Sequence, residues 1–354
     1  MRRIPRYAAA LWSVLVLTVV LGSSPALAVP PVPVTKGSGA TALAFRDGTG
    51  IWFAYNLDGD PVGVWSRQQL PGPNAYSDPA LARDAAGTGI AVQGPSNSLS
   101  FYWNLHGNPA WTYQQAAGPG TVVGTPAIVR DGTKTVITAV DIQGLLYSYT
   151  NTHGNPTWVP QLVAAEPVFG SPSMARHGTT TVIAARGEAN SMYYFWKADG
   201  ASNWSSYLAA QPGSVLSDPS IARDATATSI VFRNWNNGLT YLRNVHGSST
   251  WTPTSVSPGG TLGGADPQLA NDGTTSSIVA QAPNGEIHFW WKPNASGTWT
   301  KSLVEWANIV GNPSFSRDAT ASHIAARMRY NDAIKYYRNV HGQPSWTQAP
   351  IYLS

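Results

Sequence analysis

The chain has 354 residues, of which only 11% are charged, with 34 glycines, 27 prolines and no cysteine. This balance argues against long solvated helices and for short strands joined by tight turns, and the lack of thiols excludes disulfides, thiolate metal sites and a cysteine nucleophile. The formal net charge of +4 is too small to offer nucleic acid the clustered cations that a phosphate backbone needs.

Residues 1–28 read as a signal peptide. Arg2, Arg3 and Arg6 precede an apolar run from Ala8 to Leu21, and Ala26-Leu27-Ala28 supplies the small-residue cleavage pattern. The run is shorter than the roughly 20 residues of a spanning helix, so a secreted, extracellular protein with no membrane span is expected. Beyond Ala28, 19 bases face 18 acids, which leaves no electrostatic footprint for nucleic acid. Residues 29–40 are expected to be a linker or a degraded first strand.

Residues 41–354 read as one domain made of a repeat. Seven units run from a polar residue through a turn to a tryptophan. Four share an Asn-x-His-Gly turn: Asn104-Leu105-His106-Gly107 to Trp111, Asn151-Thr152-His153-Gly154 to Trp158, Asn244-Val245-His246-Gly247 to Trp251, and Asn339-Val340-His341-Gly342 to Trp346. Looser copies start at Asn56, Lys197 and Lys292 and end at Trp65, Trp204 and Trp299. Successive copies are 46 to 48 residues apart. A Pro-x-x-x-Arg-Asp motif keeps step at Pro79–Asp84, Pro126–Asp131, Pro172–His177, Pro219–Asp224, Pro267–Asp272 and Pro313–Asp318. The segment Pro31 to Lys36 holds the same phase without the Arg or the Asp, so either the first repeat is degraded or its first strand comes from elsewhere.

Each unit reads as four strands. The first carries the Pro motif and ends at a turn of the Asp-Gly/Ala-Thr kind. The second is a short apolar run marked by Ile90, Ile137, Ile183, Ile230 and Ile278. Turns such as Asn237-Gly238 and Asn284-Gly285 lead into the third, which alternates, as in Leu99, Phe101 and Trp103. The fourth is expected to begin at the repeat's Trp. Four strands in about 47 residues, seven times over, predict an all-β fold, a seven-bladed β-propeller with four antiparallel strands per blade.

A glycoside hydrolase needs two cooperating carboxylates, yet most aspartates sit in repeat turns, and Glu166, Glu188, Glu286 and Glu305 are scattered over different units. No Gly-x-Ser-x-Gly elbow is present. The turn histidines occur one per unit, where zinc would need three or four converging ligands, so local hydrogen bonding is their expected role. No catalytic residue, metal or cofactor is assigned. The turn is also not the sialidase-type Asp-box, being one residue longer from Gly to Trp and carrying His in place of Asp.

The column before each unit's first residue holds Tyr55, Trp103, Thr150, Trp196, Arg243, Trp291 and Arg338. A core column would not alternate between Trp and Arg, so this strand end is expected near the rim. In an up-and-down blade the first and third turns emerge on one face, which sets Arg-Asp pairs and Asn-x-His-Gly turns beside this column. Aromatic faces next to fixed donors and acceptors suit a sugar. The candidate ligand-binding residues are therefore Tyr55, Trp103, Trp196, Arg243, Trp291 and Arg338, with Asn104, His106, Asn151, His153, Asn244, His246, Asn339 and His341.

The segments Met192–Trp204 and Ile287–Trp299 (IHFWWKPNASGTW) resemble the repeat of the PLL-type seven-bladed β-propeller lectins of bacteria, and the period extends the likeness over the chain beyond residue 28. The resemblance implies glycan partners bound in clefts between neighbouring blades of a secreted or surface lectin. The Asn-x-His-Gly turn and the Pro-x-x-x-Arg-Asp strand are not matched to that family's sugar contacts. A secreted propeller hydrolase and a protein-binding scaffold stand as the alternatives.

Overall fold

The computed structural model describes residues 34–37, 40–57, 63–330 and 333–351. The signal segment, residues 31–33 and Asp58 of the first turn lie outside them. Seven four-stranded sheets follow one another along the chain, spanning 34–69, 80–117, 127–164, 168–210, 220–257, 268–305 and 309–351. Within each sheet the strands pair antiparallel in chain order. The second blade is representative: Ala80–Arg83, Gly87–Gln93, Leu99–Leu105 and Thr112–Ala117. The first strands touch one another in sequence around the ring, and that of the seventh blade meets that of the first. The protein is a closed seven-bladed β-propeller.

Packing explains the sequence pattern. Each blade lies between two others, so both faces of its inner strands are buried and simple alternation is lost. The centre of the second strand, Leu43, Ile90, Ile137, Ile183, Ile230, Ile278 and Ile324, is at 0% exposure in every blade. In the third strand of the second blade, Tyr102 packs toward the first blade and Phe101 toward the third. Seven apolar clusters result, one per seam.

The repeat's Trp is the seam's rivet. It sits just before the fourth strand, which starts one residue later in all seven blades. In six it meets, edge to face, an aromatic ring of the preceding blade: Trp65 on Tyr336, Trp111 on Phe53, Trp158 on Phe101, Trp251 on Tyr194, Trp299 on Tyr241 and Trp346 on Phe289, with centroids 4.9–5.2 Å apart. The fourth blade differs because its predecessor has Ser148 there, and Trp204 donates its indole N–H to that hydroxyl at 3.2 Å.

The weak first copy keeps its strand. Val34–Gly37 pairs with Ala40–Asp47, so the chain's own N-terminal segment completes the first blade and no strand is exchanged at closure. The closing seam packs Leu43, Phe45 and Ala54 against Ala325, Ile334, Tyr336 and Ile351, and Arg327 donates to the Arg46 carbonyl at 3.2 Å. Among the described residues no helix is long and apolar enough to cross a membrane.

Candidate functional site: clefts between the blades

The first and third turns do share one face in the six blades where both turns are described. The third turn donates a backbone N–H to the first turn's carbonyl in six blades: His106 to Ala86, His153 to Thr133, Asp199 to Thr179, His246 to Thr226, Asn294 to Thr274 and His341 to Thr320, at 2.7–3.0 Å. The turn's glycine is left-handed in five of them, with φ between 80° and 85° at Gly107, Gly154, Gly200, Gly247 and Gly342. This is a conformation only Gly adopts without strain.

The polar residues of these turns are largely engaged within the protein. Asn151, Asn244 and Asn339 each donate from one amide to two carbonyls of their own turn at 2.6–3.0 Å, and Asn104 to one at 3.0 Å. His153, His246 and His341 point Nδ1 at a first-turn carbonyl 3.2 Å away, so that nitrogen carries the proton. Their Nε2 then faces the hydroxyl of Thr135, Thr228 or Ser322. Burial, and secondly a neighbouring arginine, pushes His106, His246 and His341 below the usual imidazole range. These imidazoles are neutral supports at pH 7.

Between four pairs of neighbouring blades the same elements wall a cleft. Its volume is about 420 Å3 between the first and second blades, 650 Å3 between the second and third, 310 Å3 between the third and fourth, and 470 Å3 between the fourth and fifth. One blade supplies the end of its third strand and a residue of its fourth, such as Gln68, Gln114, Gln161 or Tyr207. The next supplies its third turn and, in three clefts, its repeat Trp. Three clefts also expose the Pro-motif arginine: Arg83, Arg130 and Arg223.

The structure therefore joins residues that lie far apart in sequence. Tyr55 faces Asn104 and His106, Trp103 faces Asn151 and His153, and Trp196 faces Asn244 and His246. In the third-to-fourth cleft Thr150 stands in the aromatic position, opposite Lys197 and Asp199. The column is half-buried. Tyr55, Trp196 and Trp291 stack on the inner aromatics Phe53, Tyr194 and Phe289, with centroids 5.9, 5.3 and 5.4 Å apart. Arg243, Trp291 and Arg338 occupy the same strand position in the last three blades. Next to Arg243, Lys292 crosses the fifth-to-sixth seam, its ammonium 5.4 Å from both the Tyr241 and Trp299 rings.

The fourth-strand residues escaped the sequence reading, and the motif arginines, placed on the right rim, were not among its candidate ligand-binding residues. The former strand has no regular pattern, because its residues are largely exposed. The arginines were visible as a recurring motif, and only the turn of the chain from one blade to the next shows that they open into the neighbour's cleft.

The sequence matches no protein-family model and no curated protein. Solved structures do resemble it in fold. The BP39L lectin of Burkholderia pseudomallei superposes with a TM-score of 0.75 at 16% identity, over 92% of this chain and 99% of that one. AofleA of Arthrobotrys oligospora gives 0.55 at 11%, over 78% and 87%. The Aleuria aurantia lectin, described as a six-bladed β-propeller with a novel fucose recognition mode, gives 0.53 at 11%, over 78% and 94%. At these identities the likeness is one of fold.

Proposed function

We propose that the protein is a secreted, non-catalytic lectin of the PLL type that binds glycans in the clefts between its blades. The observation that carries this reading is the repeated cleft itself, in which a half-buried aromatic of one blade faces the Asn-x-His-Gly turn of the next. A sugar stacks its C–H face on such a ring and places its hydroxyls on donors and acceptors held rigid by the turn. The lectin neighbours support the same reading, and the signal-like segment supports secretion. Shallow sites of this kind bind at roughly millimolar strength, about −4 kcal/mol each, and repetition on one rim raises avidity on a dense glycan surface.

A hydrolase finds less support. Asp199 is the single acidic residue lining the four clefts, and it is bound by Lys134 and Arg176. All four glutamates fall at the opposite end of the blades, in or next to the turns that follow the second and fourth strands.

The test is a glycan array probed with the chain from residue 29 onward. Trp103→Ala is expected to weaken retention of the bound glycans a few-fold, and Tyr55→Ala, Trp103→Ala and Trp196→Ala combined to lower it to background. An array with no retained glycan overturns the lectin reading in favour of a protein-binding scaffold, and complete loss from a single change overturns the multiple sites.

A further inference from the structure

The clefts differ in charge, and the difference traces to one residue. The Pro-motif arginine of three blades is neutralised by the aspartate at the end of the first strand of the preceding blade. Arg130 Nε lies 3.3 Å from Asp84, Arg176 Nη2 2.7 Å from Asp131, and Arg317 Nε 2.7 Å from Asp272. In the fourth blade that aspartate is replaced by His177. The Pro-motif arginine of the next blade, Arg223, has no ion pair among the described residues. Its Nη1 donates to Thr228 at 2.7 Å, and among the described residues its buried Nε has no partner and Nη2 makes no hydrogen bond. Asp224, next in the chain, is committed elsewhere, with Oδ1 accepting from Thr226 and Ala227 and Oδ2 from Asn294 of the following blade.

Arg83 also lacks a carboxylate, yet its three nitrogens meet Thr88, the Ala40 carbonyl and His106. Arg223 alone among the cleft arginines presents an unused edge, and it does so between Trp196, Tyr207 and Trp251 in a 470 Å3 cleft. The sister blades place a carboxylate at Nε or Nη2 of this arginine; here Nε is enclosed, so Nη2 is the donor left for a charge-assisted hydrogen bond to a ligand's anion. Burial pushes the Arg223 pKa below its ordinary value, so an anion delivered to it restores interactions the guanidinium lost on leaving water.

We infer that the cleft between the fourth and fifth blades selects an acidic saccharide, whose carboxylate or sulfate pairs with Arg223 while its ring stacks on Trp196. This rests on the proposed lectin function and adds to it a division of labour: an acid-selective cleft beside the neutral one between the second and third blades, where Asp84 already answers Arg130.

The experiment compares matched pairs of glycans on one array, neutral against uronate-terminated and neutral against sulfated, for the chain from residue 29 and three variants. The unmodified chain should retain the acidic member of a pair about 10-fold more strongly, the effect of one charge-assisted hydrogen-bonded pair, with the uronate and sulfate arms showing which anion is preferred. Arg223→Gln should remove the margin. His177→Asp, a change at the exposed last residue of a first strand, introduces the carboxylate of the sister blades and should remove it as well while sparing neutral glycans. Arg130→Gln should leave it intact, and melting curves confirm that each variant is folded. Neutral glycans bound with no acidic margin, or a margin that survives Arg223→Gln, overturn this inference alone. An array bare of any glycan overturns the lectin reading and this inference together.

Discussion

Trp196 and Trp251 stand in the same cleft in different capacities. Trp251 crosses the seam and meets Tyr194 edge to face at 5.0 Å, joining the apolar cluster that fastens the fifth blade to the fourth. Trp196 lies flat on the same tyrosine from its own strand, at 5.3 Å and 16°, with its outer face toward the cleft. Truncating a buried tryptophan costs about 3–5 kcal/mol. Trp251→Ala should approach the lower end of that range in urea unfolding, because the ring is only half-buried, whereas Trp196→Ala should cost about 1 kcal/mol and act on glycan binding. Equal losses of stability would show that the two rings are both structural. The turn residues divide in the same manner. Asn244 and His246 line the cleft, yet the asparagine's amide protons and the histidine's Nδ1 proton are held by the turn, so they shape a site more than they reach out from it.

At the level of elements, the Arg-Asp motif ties the first strand to the next at three seams. One carboxylate oxygen of Asp272 accepts from Thr274 and Thr275 to fix its own turn, and the other takes Arg317 of the following blade. Both charged side chains are less than 10% exposed. Removing one member of a buried pair leaves an uncompensated charge and costs about 3–5 kcal/mol. Asp272→Ala should destabilise by that amount in urea, and the milder Asp272→Asn, which keeps the oxygen that accepts the turn N–H groups, by less. The opposite end of the first strands is laced by a second chain of bonds. Ser171 donates its backbone N–H to Asp218, Asp218 to Asp266 and Asp266 to Asn312, at 2.7–3.0 Å. In the sequence these aspartates only precede a proline. Their partners are about 46 to 48 residues away, one blade along the ring.

The whole molecule carries two opposing sets of carboxylates. Burial alone would raise Asp131, Asp224, Asp272 and Asp318, but threonine hydroxyls and turn N–H groups, preceded at Asp318 by His323, outweigh it and hold them below the usual range. They stabilise the fold above the unfolded pKa near 3.8 and cease to do so as pH falls through their folded values. Asp78 goes the other way: burial, partly offset by Arg46 and Arg327, pushes it up to about 7. Its folded form prefers the proton, so its contribution is complete below 3.8 and is lost as pH rises through about 7. Asp218 is raised to about 6 by burial and by Asp266. Asp78→Asn should therefore match the unmodified chain in melting temperature near pH 4 and exceed it increasingly up to pH 8. A gap independent of pH would show that Asp78 is not protonated in the folded ring.

The number of blades, their four-strand makeup and the rim shared by two of the turns were legible in the sequence, because a fixed period of apolar runs, turn residues and tryptophans is a local property of the chain. The aromatic column was legible for the same reason, as strand alternation places Trp103 and Trp196 by counting. Which residues meet across a seam was settled by the tertiary structure alone. Trp103 faces His153 rather than its own His106, Arg130 answers Asp84, and Arg223 is left without a carboxylate, because blades pair through side-chain packing over separations of nearly fifty residues. The sequence left the closure of the ring open between a degraded first strand and a strand from elsewhere: Val34–Gly37 is held by backbone hydrogen bonds to its neighbour, a bond that any residue other than proline can donate and that leaves little signature in side chains.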